Sequence, residues 1–337
     1  MHDDVDFTTL PSGITPLGDD IFAIDTLMAG YPGITSSYLL RTERPCVVEV
    51  GTAGSAAVLR NALQALGVGP RDLATVVVTH IHLDHAGGVG DIAAMFPEAE
   101  IVVHERGARH LADPSRLMRS ARMVWGDRLD VLFGDLRPTD AARIRSVAET
   151  GEVDLGGGRR LVGHYTPGHA KHHMGLVDSA TGDLYVGDAL GVYNPATGDV
   201  RPATPPPDFD LEAALASLRL FDGFGAQRLM FSHFGAVETV GETLAAAEEE
   251  LRVWVEAVRG ARADSPDLDH AVAMVREQVR NRYAPAPDTL SESAEVMEVL
   301  SGVHGNVSGI AHWLDRVAAD QREAAGADGA GQDSGRG

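Results

Sequence analysis

Apolar and polar positions change in short blocks over the first half of the chain and in long helical periods over the second. Residues 20–25 (DIFAID) and 36–40 (SSYLL) have the short apolar runs of strands. A third run, 46–50 (CVVEV), stops at Gly51-Thr52. Apolar residues at helical spacing over 54–66 (GSAAVLRNALQAL), with Gly67 after them, predict a helix. Residues 74–79 (ATVVVT) are apolar and β-branched, which predicts a buried strand. A short helix at 91–96 and a strand at 100–104 (EIVVH) complete this alternating pattern.

The stretch 108–150 breaks the rhythm. It is helical in pattern, rich in Arg and Met, and interrupted by Gly126, Gly134 and Pro138, so it reads as a helical insertion or cap. Strand patterns return at 159–166, 173–178, 183–187 and 228–232. PATPPPDFD (202–210) is a proline-stiffened loop leading into a helix near 211–221. From 242 to about 318 the pattern is almost wholly helical. The last residues, REAAGADGAGQDSGRG, are small and polar, which predicts disorder over 321–337. The expected organisation is an α/β unit over 14–241, a helical region over 242–320 and a disordered tail whose deletion changes neither stability nor activity.

Composition narrows the function classes. The 337 residues include 49 acidic against 28 basic ones, a formal net charge of −21. Nucleic acid is excluded as a partner on that balance, because phosphate contacts need clustered Lys and Arg. An anionic membrane surface is excluded on the same ground. Lys171 is the only lysine, and Cys46 the only cysteine, so neither an intrachain disulfide nor a Cys-based zinc site is available. The acidic start, MHDDVDF, has no basic segment followed by an apolar run, and no stretch approaches the ~20 apolar residues of a membrane span. A cytoplasmic protein is the expectation.

Candidate chemistry sits where the strand 74–79 ends. Residues 79–88 read THIHLDHAGG, with His80, His82, Asp84 and His85 inside six positions. Just past a strand the chain turns, so His80 and His82 can face the same side. Imidazole nitrogens and carboxylate oxygens suit zinc, and also iron or manganese. Four donors in six residues crowd a single ion, and two adjacent ions would use them better. A second group should then lie downstream. TPGH (166–169), GD (187–188) and SH (232–233) supply His169, Asp188 and His233, each where an apolar run stops. Sites in layered α/β folds collect at such strand ends.

HIHLDH, TPGH, GD and SHFG, in this order, resemble the metallo-β-lactamase superfamily over roughly residues 14–240. Within it the chain looks most like a broad group of bacterial and archaeal metallo-hydrolases, beside the glyoxalase II-like thioesterases. The resemblance implies a four-layer αββα sandwich, an α/β (α+β) fold, here with a helical C-terminal extension. Carried over by motif, His80, His82 and His169 would hold one metal. Asp84, His85 and His233 would hold a second, and Asp188 would bridge them with a water or hydroxide. The family's early strand-end aspartate is replaced here by Glu49, in EVG (49–51). Its support of a ligand histidine is left open by that change.

The expected function is a dinuclear metal-dependent hydrolase. A metal-bridging hydroxide would attack a small ester-like substrate: a carboxylic ester, lactone, thioester or phosphotriester. Asp84 would act catalytically by orienting that nucleophile and taking its proton. Two divalent ions, zinc before iron or manganese, are the expected cofactors. No G-x-S-x-G elbow is present and Cys46 sits in an apolar strand, so covalent catalysis is not expected. Two alternatives stand beside this: a mononuclear iron oxidoreductase like the persulfide dioxygenases, and a non-enzymatic, metal-stabilised dimerisation module. His172, His173 and Tyr193 are candidate substrate contacts, one of the two histidines turning to the cleft by alternation along an extended segment. Lys171 either meets an anionic substrate or is a solvated loop residue. Met123, Trp125 and Phe133 either line a pocket or pack the insertion. The 302–314 segment, with His304, Asn306 and Trp313, folds over the site, forms a homodimer contact, or is an ordinary helix turn. The partner expected is a small-molecule substrate.

Overall fold

A computed structural model describes residues 10–279, 298 and 302–332, with side chains up to 323. Two sheets lie face to face. The first has seven strands in chain order: β1 (Ile14–Gly18), β2 (Ile21–Asp25), β3 (Ser36–Leu40), β4 (Cys46–Val48), β5 (Thr75–Val77), β6 (Glu100–His104) and β7 (Ile144–Val147). The second contains β8 (Thr150–Asp154), β9 (Arg160–Tyr165), β10 (Met174–Asp178), β11 (Asp183–Gly187), β14 (Arg228–Phe231) and β15 (Gly235–Val237), in the order β15-β14-β11-β10-β9-β8. β12 (Val192–Asn194) and β13 (Asp199–Arg201) form a separate hairpin.

The central strands are apolar on both faces because both faces are covered. In β4, Cys46 and Val48 point to the space between the sheets while Val47 points outward. Val77 and Val102 point inward in the same way, and in the second sheet Tyr185 and Met230 do so. The outer face of the first sheet is covered by helices that include α1 (Ala56–Ala65) and α3 (Val89–Met95). The second is covered by α7 (Leu211–Gly223), α8 (Val240–Asp264), α9 (Leu268–Val279) and α10 (Val303–Gln332). This is the four-layer αββα sandwich. Fully buried Trp254 of α8 belongs to the same apolar cluster as Leu184, Phe231 and Ile310, so the C-terminal helices share a core with the second sheet.

Two expectations are corrected. The stretch 108–150 is helical through α4 (Glu105–Ala112), α5 (Ser115–Trp125), α6 (Arg128–Leu132) and a 3-10 turn at Ala141–Arg143; β7 follows and β8 begins at Thr150. These two are edge strands with one buried residue each, Val147 and Val153, so they lack the apolar run of a central strand. The tail expected to be disordered from 321 is helical through Gln332. Its alanines are the best helix formers, and propagation from a packed helix needs no new nucleus; residues 333–337 lie outside the described set. In 108–150, Trp125 and Phe133 pack ring to ring at 5.2 Å, whereas Met123 is 82% exposed. No described helix is long and apolar enough to cross a membrane.

Candidate metal centre

β5 delivers the first donors. The chain leaves Val77 extended, and the one-turn helix α2 (Leu83–Ala86) carries Asp84 and His85. Gly87 lets this helix press on the Thr52-Ala53 turn, where a Cβ would run into Leu83 O and crowd Ala53 N. β9 ends before His169, β11 before Asp188 and β14 before His233, so four strand ends converge. Gly187, at φ +52°, is needed for that approach: a Cβ there would overlap His173 and Thr79.

All seven residues singled out in the motifs come together. His82 Nδ1 lies 3.0 Å from His80 Nε2 and 2.9 Å from His169 Nε2. Beside them His233 Nε2 lies 3.3 Å from His85 Nε2 and 3.4 Å from Asp84 Oδ2. Asp188 stands between the groups. Its Oδ1 is 3.3 Å from His85 Nε2 and 3.6 Å from His233 Nε2, and its Oδ2 is 3.6 Å from His169 Nε2. His82 and Asp84 are partly exposed and the other five are buried, so these two mark the open side.

Outer acceptors set which nitrogen faces inward. His169 Nδ1 donates to Ala203 O at 2.9 Å and His233 Nδ1 to Ile34 O at 2.7 Å. A carbonyl only accepts, so each neutral ring carries its proton outside and turns a bare Nε2 inward. His80 Nδ1 is paired with Thr79 Oγ1 at 2.9 Å. His85 Nδ1 faces Glu49 Oε2 at 3.4 Å. The longer Glu49 therefore does reach a donor histidine. It is buried, at φ +66°, and its Oε1 accepts from Thr79 N at 3.1 Å. A non-glycine residue in that region carries backbone strain, which clusters at functional sites.

Charge follows geometry. Burial, then the neighbouring imidazoles, push His80 well down and His82 to about 4, and burial lowers His169. Burial also disfavours charge on His85 and His233, but the Asp188 and Asp84 carboxylates outweigh it and raise both. For Asp84 and Asp188, burial is outweighed by His85 and His233, which hold both carboxyls well below the usual range. The neutral imidazoles of His80, His82 and His169 beside ionised carboxylates suit a cation. At His85 and His233 a cation would take the place of the proton that the carboxylates favour. Asp188 Oδ1 is buried without a hydrogen-bond partner, and three groups of donors lie within 4.8 Å of one another: His80-His82-His169, His80-His85-Asp188 and Asp84-His85-His233. The residues fit metal ions.

The other candidates separate. His173 is fully buried and cannot line a cleft: its Nδ1 pairs with Thr166 Oγ1 at 2.9 Å and its Nε2 accepts from Asp188 N at 3.2 Å. The segment 170–173 is a turn, so the alternation of an extended chain does not apply and His173 points inward. His172 stays beside the site, its ring 5.6 Å from that of His82, with Ile81 N donating to its Nδ1 at 3.4 Å. Tyr193 is half-buried against Phe231, and its N–H holds the His233 carbonyl. Lys171 pairs with Asp208 at 3.2 Å. Sequence reasoning missed Thr79 and Thr166, although both sit inside the motifs, and the Ala203 and Ile34 carbonyls, for which no side-chain signature exists.

The profile of the Metallo-beta-lactamase superfamily matches residues 30–233. A metallo-beta-lactamase fold-containing protein of Sulfurisphaera tokodaii is 33% identical over 196 residues, 55% of this chain and 72% of its own length. A hydroxyacylglutathione hydrolase of Vibrio campbellii is 29% identical over 168 residues, 50% of each chain. The crystal structure of an archaeal metallo-beta-lactamase superfamily protein from Sulfolobus tokodaii superposes with a TM-score of 0.64 at 24% identity, over 86% of this chain and 97% of that one. With a family match across more than half its length, the chain belongs to the metallo-beta-lactamase superfamily.

Proposed function

We propose that this protein is a dinuclear metal-dependent hydrolase of a small ester-like substrate. The observation that carries the reading is Asp188, whose two oxygens face two separate donor groups while Oδ1 has no hydrogen-bond partner. His80, His82 and His169 would hold one divalent ion, Asp84, His85 and His233 the other, and Asp188 both. Two such ions, zinc before iron or manganese, lower the pKa of water and polarise an ester-like carbonyl or phosphoryl group. Asp84, kept ionised on the open side, orients the attacking water and accepts its proton at the carboxylate. Glu49 and the Ala203 and Ile34 carbonyls hold the imidazoles in register. A relative named as a hydroxyacylglutathione hydrolase supports acyl hydrolysis, and the complete second donor group favours two ions over a single iron.

The test is metal content per chain by elemental mass spectrometry, followed by a panel of esters, lactones, thioesters and phosphotriesters. Two ions per chain, with hydrolysis lost on chelation and restored by zinc, is the expected result. One tightly held iron and oxygen uptake with persulfides would overturn it.

A further inference from the structure

The C-terminal helix α10 reaches the Nδ1 side of His169 through the Ala203–Thr204 peptide group. The loop before α7 reads PATPPP at 202–207, and prolines lack an N–H, so only Ala203 and Thr204 can donate from its backbone. Thr204 N donates to Asn306 Oδ1 at 2.7 Å, and Thr204 Oγ1 donates to the same oxygen at 2.8 Å. Both residues are buried. The helix lies against the loop here: a Cβ on Gly309 would overlap the Thr204 carbonyl. Farther along, Arg316 donates to Phe209 O at 3.2 Å and to Asp210 Oδ2 at 2.8 Å.

The N–H of Thr204 and the C=O of Ala203 belong to one planar trans peptide and point in opposite directions. One end of that plate meets Asn306; the other accepts from His169 Nδ1 at 2.9 Å. Pinning the N–H therefore aims the carbonyl. We propose that Asn306 is a positioning residue for His169. Through the Ala203–Thr204 peptide it keeps the His169 proton on Nδ1 and Nε2 directed at the His80-His82 pair. This rests on the reading of His169 as a metal ligand. The arrangement gives the C-terminal helix a part in the site without a residue in the cleft. The Arg316 contacts act on the Phe209–Asp210 peptide, whose N–H donates to Gly168 O at 2.9 Å; they anchor the backbone before His169 but do not reach its Nδ1.

The test uses the full chain, metal-stripped, with Asn306→Ala and Asn306→Asp compared by zinc titration against a chromophoric chelator. Asn306→Ala is expected to weaken one of two zinc ions by roughly tenfold, at the lower end of losses seen when the partner of a ligand histidine is removed. The other ion keeps its affinity. Asn306→Asp keeps an acceptor at Oδ1 and is expected to restore the weakened ion, which a merely structural role would not require. Equal affinity in Asn306→Ala and the parent chain, or an equal loss at both ions that Asn306→Asp fails to restore, would overturn the proposal. The ¹⁵N signature of His169 in the metal-free parent chain is a second readout, needing neither variant. A proton on Nδ1 is expected, and one on Nε2 would overturn it. A parent chain that binds no zinc would sink the proposed function, while the tautomer readout still judges the peptide tie.

Discussion

The two ends of the second sheet treat buried charge in opposite ways. At the end where β11 and β14 begin, Asp183 is held by Arg228 through two bonds of 2.8 and 2.6 Å. Nearby, Asp178 takes Arg159 Nε and Nη2 at 3.0 and 2.5 Å. Both carboxylates are fully buried and answered by a guanidinium, the planar fork that fits them best. At the end where the same strands stop, Asp188 and, from the first sheet, Glu49 are also buried but face imidazoles, and each keeps one oxygen without a hydrogen-bond partner. Leaving buried carboxylate oxygens unanswered is costly. One end is complete as folded; the other holds, at Asp188, an unanswered donor among clustered imidazoles that could take a metal ion.

The largest effect should come from Asp188→Ala. It removes the one carboxylate common to both donor groups, so metal content should fall and hydrolysis drop by at least about a thousandfold, ~4 kcal/mol of transition-state stabilisation. Metal analysis with rate measurement on the same preparation checks this. Retention of two ions at full rate would erase the contrast between the ends. Arg228→Ala probes the opposite end. It leaves Asp183 buried with its main partner gone, which should cost about 3 kcal/mol in urea unfolding. Metal content of the folded protein should stay unchanged. A metal loss on Arg228→Ala would mean that the ends are not independent.

The difference between the ends was partly legible in the sequence. His80, His82, Asp84, His85, His169, Asp188 and His233 stand out because each follows an apolar run. Those runs are apolar because β5, β11 and β14 are covered on both faces. The far-end pairs were not legible, since Asp183 and Arg228 are 45 residues apart and become neighbours only through parallel register. β7 and β8 were absorbed into a helical insertion because each buries a single residue. Alternation along an extended segment would turn one of His172 and His173 to the cleft, but the chain makes a turn there, and only the folded structure shows that His173 is the buried one. The acceptors behind His169 and His233 are backbone carbonyls, which every residue carries, so only the folded chain selects Ala203 and Ile34. Asn306 stands out in the 302–314 segment, but its partner does not, because Thr204 is 102 residues away and meets it only in the folded chain.

Tyr185 gives the smallest and sharpest test, because it is one of several buried unpaired groups outside the site and lies beside the paired end. It lies in β11 between the sheets, edge-on to Tyr38 at 5.3 Å, and its hydroxyl is buried without a hydrogen-bond partner. Burial is the first cause raising its pKa, with Asp178 and Asp183 adding to it, so the hydroxyl stays neutral and close to the paired end. If every unanswered buried polar atom marked a ligand site, Tyr185 would mark one too. Its setting says otherwise: the nearby carboxylates already have their guanidinium partners, and no cluster of bare donors surrounds it. Tyr185→Phe removes an unsatisfied group while keeping the ring, so stability should be unchanged or higher by up to about 1 kcal/mol. Metal content and rate should equal those of the parent chain. A loss of metal would extend the site into the sheet interior, whereas a clear fall in melting temperature would show that the hydroxyl is answered after all.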